Sequence, residues 1–449
     1  MSRNKKRLAV LFALLSAAAA AVTGSAIART HAPTAGTLNI YGFGPGDDVQ
    51  ENRAAYAKDQ LSNTTINRPA GDFNDQVFLT RLASGDIPDL VRMGRPSVGT
   101  YMAKGVLQPM DSCITKAVRQ DYRAGAVKAM TYKGHIYGLP EFTQPVTMVV
   151  NQSAVRAAGL SVDDISTTNK AKLLANTKKL FKMDSSGNLS RIGFDPKIDS
   201  FIFFMLWVKW FGDKYNVVSA DGLHAQLNTP QAIGALTYAA QLINAQGGWK
   251  KFVTFRDTFN FFGKDNPYVK DQLAASPLES FFYNQFSNNS PDVDIVAKFF
   301  TNHKGGPLSV FSGNGWVVPK GSKNVADACA YMKAVTSTQA WLTAAKKRYD
   351  ARKRSGATFT GLYTANAVAD RKIYEDIYQS FGHQQFDRAV QVVVQAGKYG
   401  FEMPPSPGGA QIVDAVNAAV QRVLNGEQSP KASLNQAQKE AQAAINKNK

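Results

Sequence analysis

The chain has 449 residues, a formal net charge of +18, 44% hydrophobic and 10% aromatic residues, two cysteines and five histidines. That length exceeds one compact core, so two domains are expected, and the apolar and aromatic content excludes a disordered chain. Two cysteines cannot build a zinc ribbon, and no histidine sits in a His-Glu-x-x-His spacing.

The N-terminus reads as an export leader, taken as residues 1–28. Arg3, Lys5, Lys6 and Arg7 precede an apolar stretch, Leu8–Val22, that is shorter than the ~20 residues of a membrane span, and small residues follow. Two ends fit this leader. Ala26-Ile27-Ala28 is a small-x-small cleavage site. Val22-Thr23-Gly24-Ser25 matches a bacterial lipoprotein box except at Ser25, where a cysteine thiolate is needed to take the lipid. As written, the chain is therefore expected to be exported, to the cell surface, the periplasm or the medium, without a lipid anchor. Four cations lie in the leader, leaving about +14 on the remainder. The basic residues are scattered, not striped, with short runs such as Lys346-Lys347-Arg348 and Arg352-Lys353-Arg354 on one helix and its end, and this pattern together with export argues against nucleic acid. Anionic cell-wall polymers, lipid headgroups or an acidic ligand are what such a charge would attract. Export also permits a Cys113–Cys329 disulfide, with two separate buried thiols as the other reading.

Thr37–Tyr41 alternates as a strand, Gly42–Gly46 makes a loop and Val49–Leu61 reads as a helix, an α/β opening. Phe73–Ser84 is a second helix, with Val77, Leu79, Leu82 and Ala83 available for burial. Gly85-Asp86-Ile87-Pro88-Asp89-Leu90-Val91 and Gly105-Val106-Leu107-Gln108-Pro109-Met110-Asp111 follow. Tyr132–Gly138 signals a short hairpin that leads into Leu139-Pro140. Val146–Val150 is a β-rich run, and Asn151 begins a small-residue helix that ends at Gly159. Lys170–Phe181 is a helix, and Phe201–Trp210 is a very apolar run closed by Phe211-Gly212-Asp213. Thr229 caps a helix with Pro230 in its first turn, and Ile233, Leu236, Ala240 and Ile243 share one face. Ser312–Ser322 is a glycine-rich turn and strand, and Ala326–Thr336 the next helix. Ile412, Val416, Val420 and Val423 line a helix stopped by Asn425-Gly426, and Ser433–Ile445 is the last amphipathic segment.

Taken in order, these landmarks resemble the large carbohydrate-binding family of extracellular solute-binding proteins that serve ABC importers. Tyr132–Leu160 resembles that family's lobe-to-lobe crossover, with Val150 where a Tyr or Phe usually precedes the Asn. The Gly85–Val91, Gly105–Asp111 and Ser312–Ser322 segments match further landmarks. The chain departs from the family at Ser161–Asn169 and at Asp257–Ala275, where Gln272-Leu273-Ala274-Ala275 replaces Gly-Lys-Ala-Ala-Met. The resemblance implies an α/β fold of the two-lobed periplasmic-binding-protein type, with discontinuous lobes and a three-segment hinge. Residues 37–142 and 309–360 form lobe I, and residues 146–305 and 364–449 form lobe II. It also implies a monomer without a cofactor or metal that captures a carbohydrate, expected to be an oligosaccharide, and docks on the permease subunits of an ABC transporter.

Enzyme motifs are missing. There is no Gly-x-Ser-x-Gly elbow, Gly42–Gly46 has the wrong spacing for a dinucleotide loop with Pro45 removing a donor, and Asp47-Asp48 and Asp163-Asp164 are sequence neighbours that face different ways. A polysaccharide-active enzyme such as a lyase, needing a Tyr/His/Arg cluster in the cleft, and a ligand-sensing partner of a membrane receptor are the alternatives. A sugar site needs aromatic faces and planar polar groups on loops at strand ends and at the hinge. In the implied layout the first loop supplies Phe43 and Asp47, and the loop after Pro88-Asp89 supplies Arg92, Met93 and Arg95. The hinge supplies Glu141, Phe142 and Gln144. Lobe II supplies Trp207 and Trp210, for which core packing is the competing role, and Glu279, Phe281 and Phe282, where the family carries a stacking aromatic. Asn314 and Trp316 follow the glycine-rich turn, and Trp316 is the leading aromatic candidate. Arg92 and Arg95 are the residues that would recognise an acidic ligand.

Overall fold

The computed structural model describes residues 36–449; the leader and Ser25 lie outside them. Lobe I is built on a five-stranded sheet in the order Thr64–Asn67, Gly36–Tyr41, Leu90–Gly94, Asn314–Val317, Gly138–Pro140. The first three strands are parallel, and Asn314–Val317 runs antiparallel to both its neighbours. Lobe II is organised around the strand Gln144–Asn151. It pairs antiparallel with Ala275–Glu279, with Ile295–Lys298 and, at its first two residues, with Pro307–Ser312. Its last seven residues are buried, because helices cover both faces of the sheet. Phe201–Phe211, apolar at every position but Lys209, is an interior helix of this lobe with eight buried residues.

The expected elements form where their local signals lie. Asp47 caps the helix Asp48–Asp59, Thr229 caps Pro230–Asn244, and Gly85 ends Asp75–Ser84 in the left-handed conformation. The burial expected for that last helix needs correction. Val77 and Leu79 are exposed, and the buried residue is Phe78, wedged edge-on against Tyr101 at 5.0 Å. The helix lies on the surface and offers one ring to the lobe rather than an apolar stripe.

The chain crosses between lobes three times. Residues 141–143 join Gly138–Pro140 to Gln144–Asn151, and Gly313 joins Pro307–Ser312 to Asn314–Val317. Only glycine fits at 313, since a Cβ would stand 2.0 Å from the Phe142 carbonyl oxygen and 2.3 Å from Arg95 Nη1. The third crossing is spread out. Thr364 bridges Phe142, the helix Ala367–Lys372 returns to lobe I beside Thr338–Ser355, and the helix Gln384–Ala396 packs on the lobe II sheet. Residues 309–312 therefore pair within lobe II, four residues past the boundary read in the sequence, and 367–377 pack with lobe I, more than ten residues past the other boundary. Cys113 and Cys329 are joined by a disulfide inside lobe I. Among the described residues no helix is long and apolar enough to cross a membrane.

Candidate functional site

A cavity of about 850 Å³ lies between the lobes, lined from both of them and from all three crossings. That volume falls inside the ~300–1,000 Å³ span of small-molecule sites. Eight aromatic side chains line it, together with six carboxylates and four arginines, and no lysine, histidine or cysteine is among the described lining residues.

The floor is organised by a buried charge. Glu141, at the first crossing, is fully buried and bonded by two guanidiniums: Arg53 Nη2 donates to Oε1 at 2.7 Å and Arg92 Nε donates to Oε2. Burial pushes the Glu141 carboxyl up, but Arg92 and Arg53 outweigh it and hold it below the usual carboxylate range. Both arginines line the cavity while Glu141 does not. The expectation that Glu141 contacts ligand is thus corrected: it lies behind the wall and fixes two residues that form it. Arg53 stacks on Trp341 at 3.7 Å. With its carboxamide oxygen turned toward Arg92, Asn314 accepts from Nη1 and Nη2 at 3.2 and 2.8 Å.

The other arginines are committed in the same way. Arg95 donates to Glu402 at 2.7 Å across the lobes, and to the carbonyls of Phe142 and Asn314 at the crossings. Arg348 pairs with Asp47 at 2.8 Å and with Asp48. Every lining arginine therefore has a carboxylate partner, and the lining carries more carboxylates than guanidiniums. Arg92 and Arg95, the residues read as recognising an acidic ligand, are thus each already bonded to a carboxylate, and the chain's excess cations lie outside the lining. On the lobe II wall Ser280 Oγ donates to Gln144 Oε1 at 2.6 Å, and among the described residues nothing accepts from the Gln144 amide nitrogen, which is left for the cavity. Burial raises Glu279 above the ordinary carboxylate range, against the pull of the Ser312 hydroxyl and Lys197.

The structure brings Asp47, Arg92, Arg95, Phe142, Gln144, Glu279, Phe281 and Asn314 to one cavity. It does not bring the others there. Trp316 has no exposure and sits in the lobe I core, with Phe43 edge-on at 4.6 Å and Tyr331 at 6.0 Å. The glycines before it admit Met130 and the Phe142 backbone rather than a ligand. Phe43 and Met93 are likewise in lobe I cores. Trp207 and Trp210 share the lobe II core, their indole N–H groups donating to the carbonyls of Pro196 and Thr167 at 2.9 and 2.8 Å. Phe282 packs between Phe261 and Phe286, behind Phe281.

Sequence reasoning missed Arg53, Trp341, Arg348, Tyr363 and Tyr374, all of which line the cavity. One signal was available. Val49, Arg53, Ala54 and Ala57 form the buried face of the first helix, so Arg53 is a lone charge on an apolar stripe. Arg348 stands in the basic run Lys346-Lys347-Arg348, yet its side chain is 5% exposed.

A family model described as bacterial extracellular solute-binding protein matches residues 53–368. Over 84 residues the chain is 31% identical to a maltotriose-binding protein of Pyrococcus abyssi, a match that spans 19% of this chain and 18% of that relative. Among solved structures, CpMnBP1 with mannobiose bound superposes with a TM-score of 0.73 at 22% identity, over 91% of this chain and 100% of that one. The GacH receptor of Streptomyces glaucescens, solved unliganded and with acarbose, gives 0.70 at 14% identity, over 92% and 99%. These likenesses show a shared two-lobed fold.

Proposed function

We propose, from the premise that this chain belongs to the bacterial extracellular solute-binding proteins, that it captures an uncharged oligosaccharide between its lobes and delivers it to the membrane permease of an ABC importer. The observation that carries this reading is the combination of aromatic rings with arginines already paired to carboxylates around one inter-lobe cavity. Rings such as Phe142 and Phe281 suit the apolar C–H face of a pyranose. Gln144, Asn314 and the fixed edge of Arg92 suit its hydroxyls, and each lining guanidinium already has a carboxylate partner. The carbohydrates bound by the similar proteins, maltotriose, mannobiose and acarbose, support the same class. Ligand touching both lobes favours the closed state by its differential affinity for it, and that state is what the permease would engage. Arg92, Phe142, Gln144, Glu279, Phe281 and Asn314 are the proposed contacts.

The test is a thermal-shift screen with mannobiose, maltotriose, acarbose and a galacturonate oligomer. A neutral oligosaccharide at about 100 times its Kd should stabilise the protein by about 2.7 kcal/mol, and the uronate should not. Stabilisation by peptides or metal ions with no saccharide active would overturn the reading. The unlipidated leader belongs to the same proposal. Ser25→Cys should send the protein to the membrane if the lipoprotein box is genuine, and a soluble variant would mean that Ala28 simply ends an ordinary signal peptide.

A further inference from the structure

We infer that Phe262 is an outer platform that carries the binding site beyond the cavity, so that the ligand is a glycan longer than the cleft encloses. This rests on the carbohydrate reading above and adds the length of the substrate to it. Phe262 lies in Asp257–Ala275, one of the two stretches read as departing from the family pattern, within the run Phe259-Asn260-Phe261-Phe262-Gly263.

Phe262 is 59% exposed, the most exposed large hydrophobic side chain among the described residues. Its ring is within 14° of parallel to Phe281, with centroids 6.4 Å apart, and Phe281 lines the cavity. Phe281 in turn stacks on Phe282 at 4.2 Å. Aromatic surface therefore continues from the cleft wall to solvent. The position is fixed from below: Asn289 Nδ2 donates to the Phe262 carbonyl at 2.8 Å, and Phe261 packs against Phe282 at 5.4 Å.

The occupant follows from the size of the surface. A protein partner uses an apolar patch of several hundred Å², whereas Phe262 is one ring followed by the exposed polar residues Lys264 and Asp265. A single ring with a polar rim suits one pyranose, apolar on its face and hydroxylated at its edge. Continuity with Phe281 makes that pyranose the next unit of a chain already held in the cleft.

The test compares mannobiose with mannohexaose, and maltose with maltohexaose, by calorimetry on the full exported chain. In the series that binds, the wild-type protein should hold the hexasaccharide about tenfold tighter than the disaccharide, the scale of one stacking contact. Phe262→Ala should abolish this gain and leave disaccharide affinity unchanged, Phe262→Trp should preserve it, and Phe281→Ala should weaken both lengths. Equal wild-type affinity for both lengths, or a gain that survives Phe262→Ala, overturns the platform while the capture of a sugar stands. A dimer in light scattering that Phe262→Ala converts to monomer overturns it in favour of self-association. Failure of every saccharide to bind removes the carbohydrate reading and the platform with it.

Discussion

Replacing Glu141 by Gln removes the one negative charge shared by Arg53 and Arg92 while keeping the shape of the side chain. Glu141 is 0% exposed, Arg53 3% and Arg92 12%. The amide oxygen can still accept an N–H, but two guanidiniums are left without a counter-charge. Breaking a buried pair costs about 3–5 kcal/mol. The Arg53 stack on Trp341 and the Asn314 acceptor on Arg92 soften the loss, so the expected value is near the lower end, about 3 kcal/mol. At ~2–4 °C per kcal/mol for a lobe of this size, the melting temperature should fall by about 6–12 °C. A second effect is functional. Arg92, no longer neutralised, faces the cavity and should accept a carboxylate. At about 1.5–3 kcal/mol for a charge-assisted hydrogen bond, a galacturonate oligomer should gain roughly ten- to hundredfold in affinity over wild type, and the gain should shrink with salt. Urea unfolding reads the first effect and calorimetry across salt concentration reads the second. The double variant Glu141→Gln with Arg53→Met should be less destabilised than Glu141→Gln alone, because one stranded charge is gone. A Glu141→Gln protein as stable as wild type, and still indifferent to uronate, would refute the role assigned to the buried ion centre.

Gly99→Ala places a Cβ 2.6 Å from the backbone of Ser406 in the other lobe. A helix interior gains about 1 kcal/mol from this change, so lobe I should be no less stable, while closure is obstructed and the Kd for the bound sugar rises at least tenfold; an unchanged Kd and scattering radius would contradict this. Loss of the Cys113–Cys329 bridge, by Cys→Ser at both positions, should cost about 2–4 kcal/mol in urea unfolding, and an unshifted midpoint under reducing conditions would show that the link constrains little. Burial raises the Asp370 carboxyl to about 6 from 3.8, against Arg123, so the folded state favours the protonated form. Its stabilising contribution is complete below pH 3.8 and lost as pH rises through about 6, a change of about 3 kcal/mol. Asp370→Asn should flatten that part of the stability curve, and an unaltered slope would mean that Arg123 keeps the carboxylate ionised.

Much of the fold was legible because its signals are local. A capping side chain and the N–H it accepts are three residues apart, as for Asp47 and Gln50 or Thr229 and Ala232. The alternation that buries Leu38 and Ile40 is contained in one strand, and the hinge announces itself in the run that ends at Pro140. The sequence also put Phe142, Gln144 and Asn314 near a cleft, since they stand at the crossings between lobes, but the same reasoning misplaced Glu141, whose side chain turns behind the wall.

Tertiary structure decided the rest. Whether Trp316 faces ligand or core depends on which helix covers its sheet, and Val325–Thr336 brings Tyr331 over it. Phe43 meets Trp316 although 273 positions separate them, so neither could be read alone. Glu141 and Arg53 are 88 residues apart, and Arg348 and Asp47 are 301 apart. Net charge is a sum over the chain and survives any rearrangement of it, which is why composition could suggest an acidic ligand. Neutralisation falls off with distance, and only the fold sets the distances that leave each cavity arginine already paired.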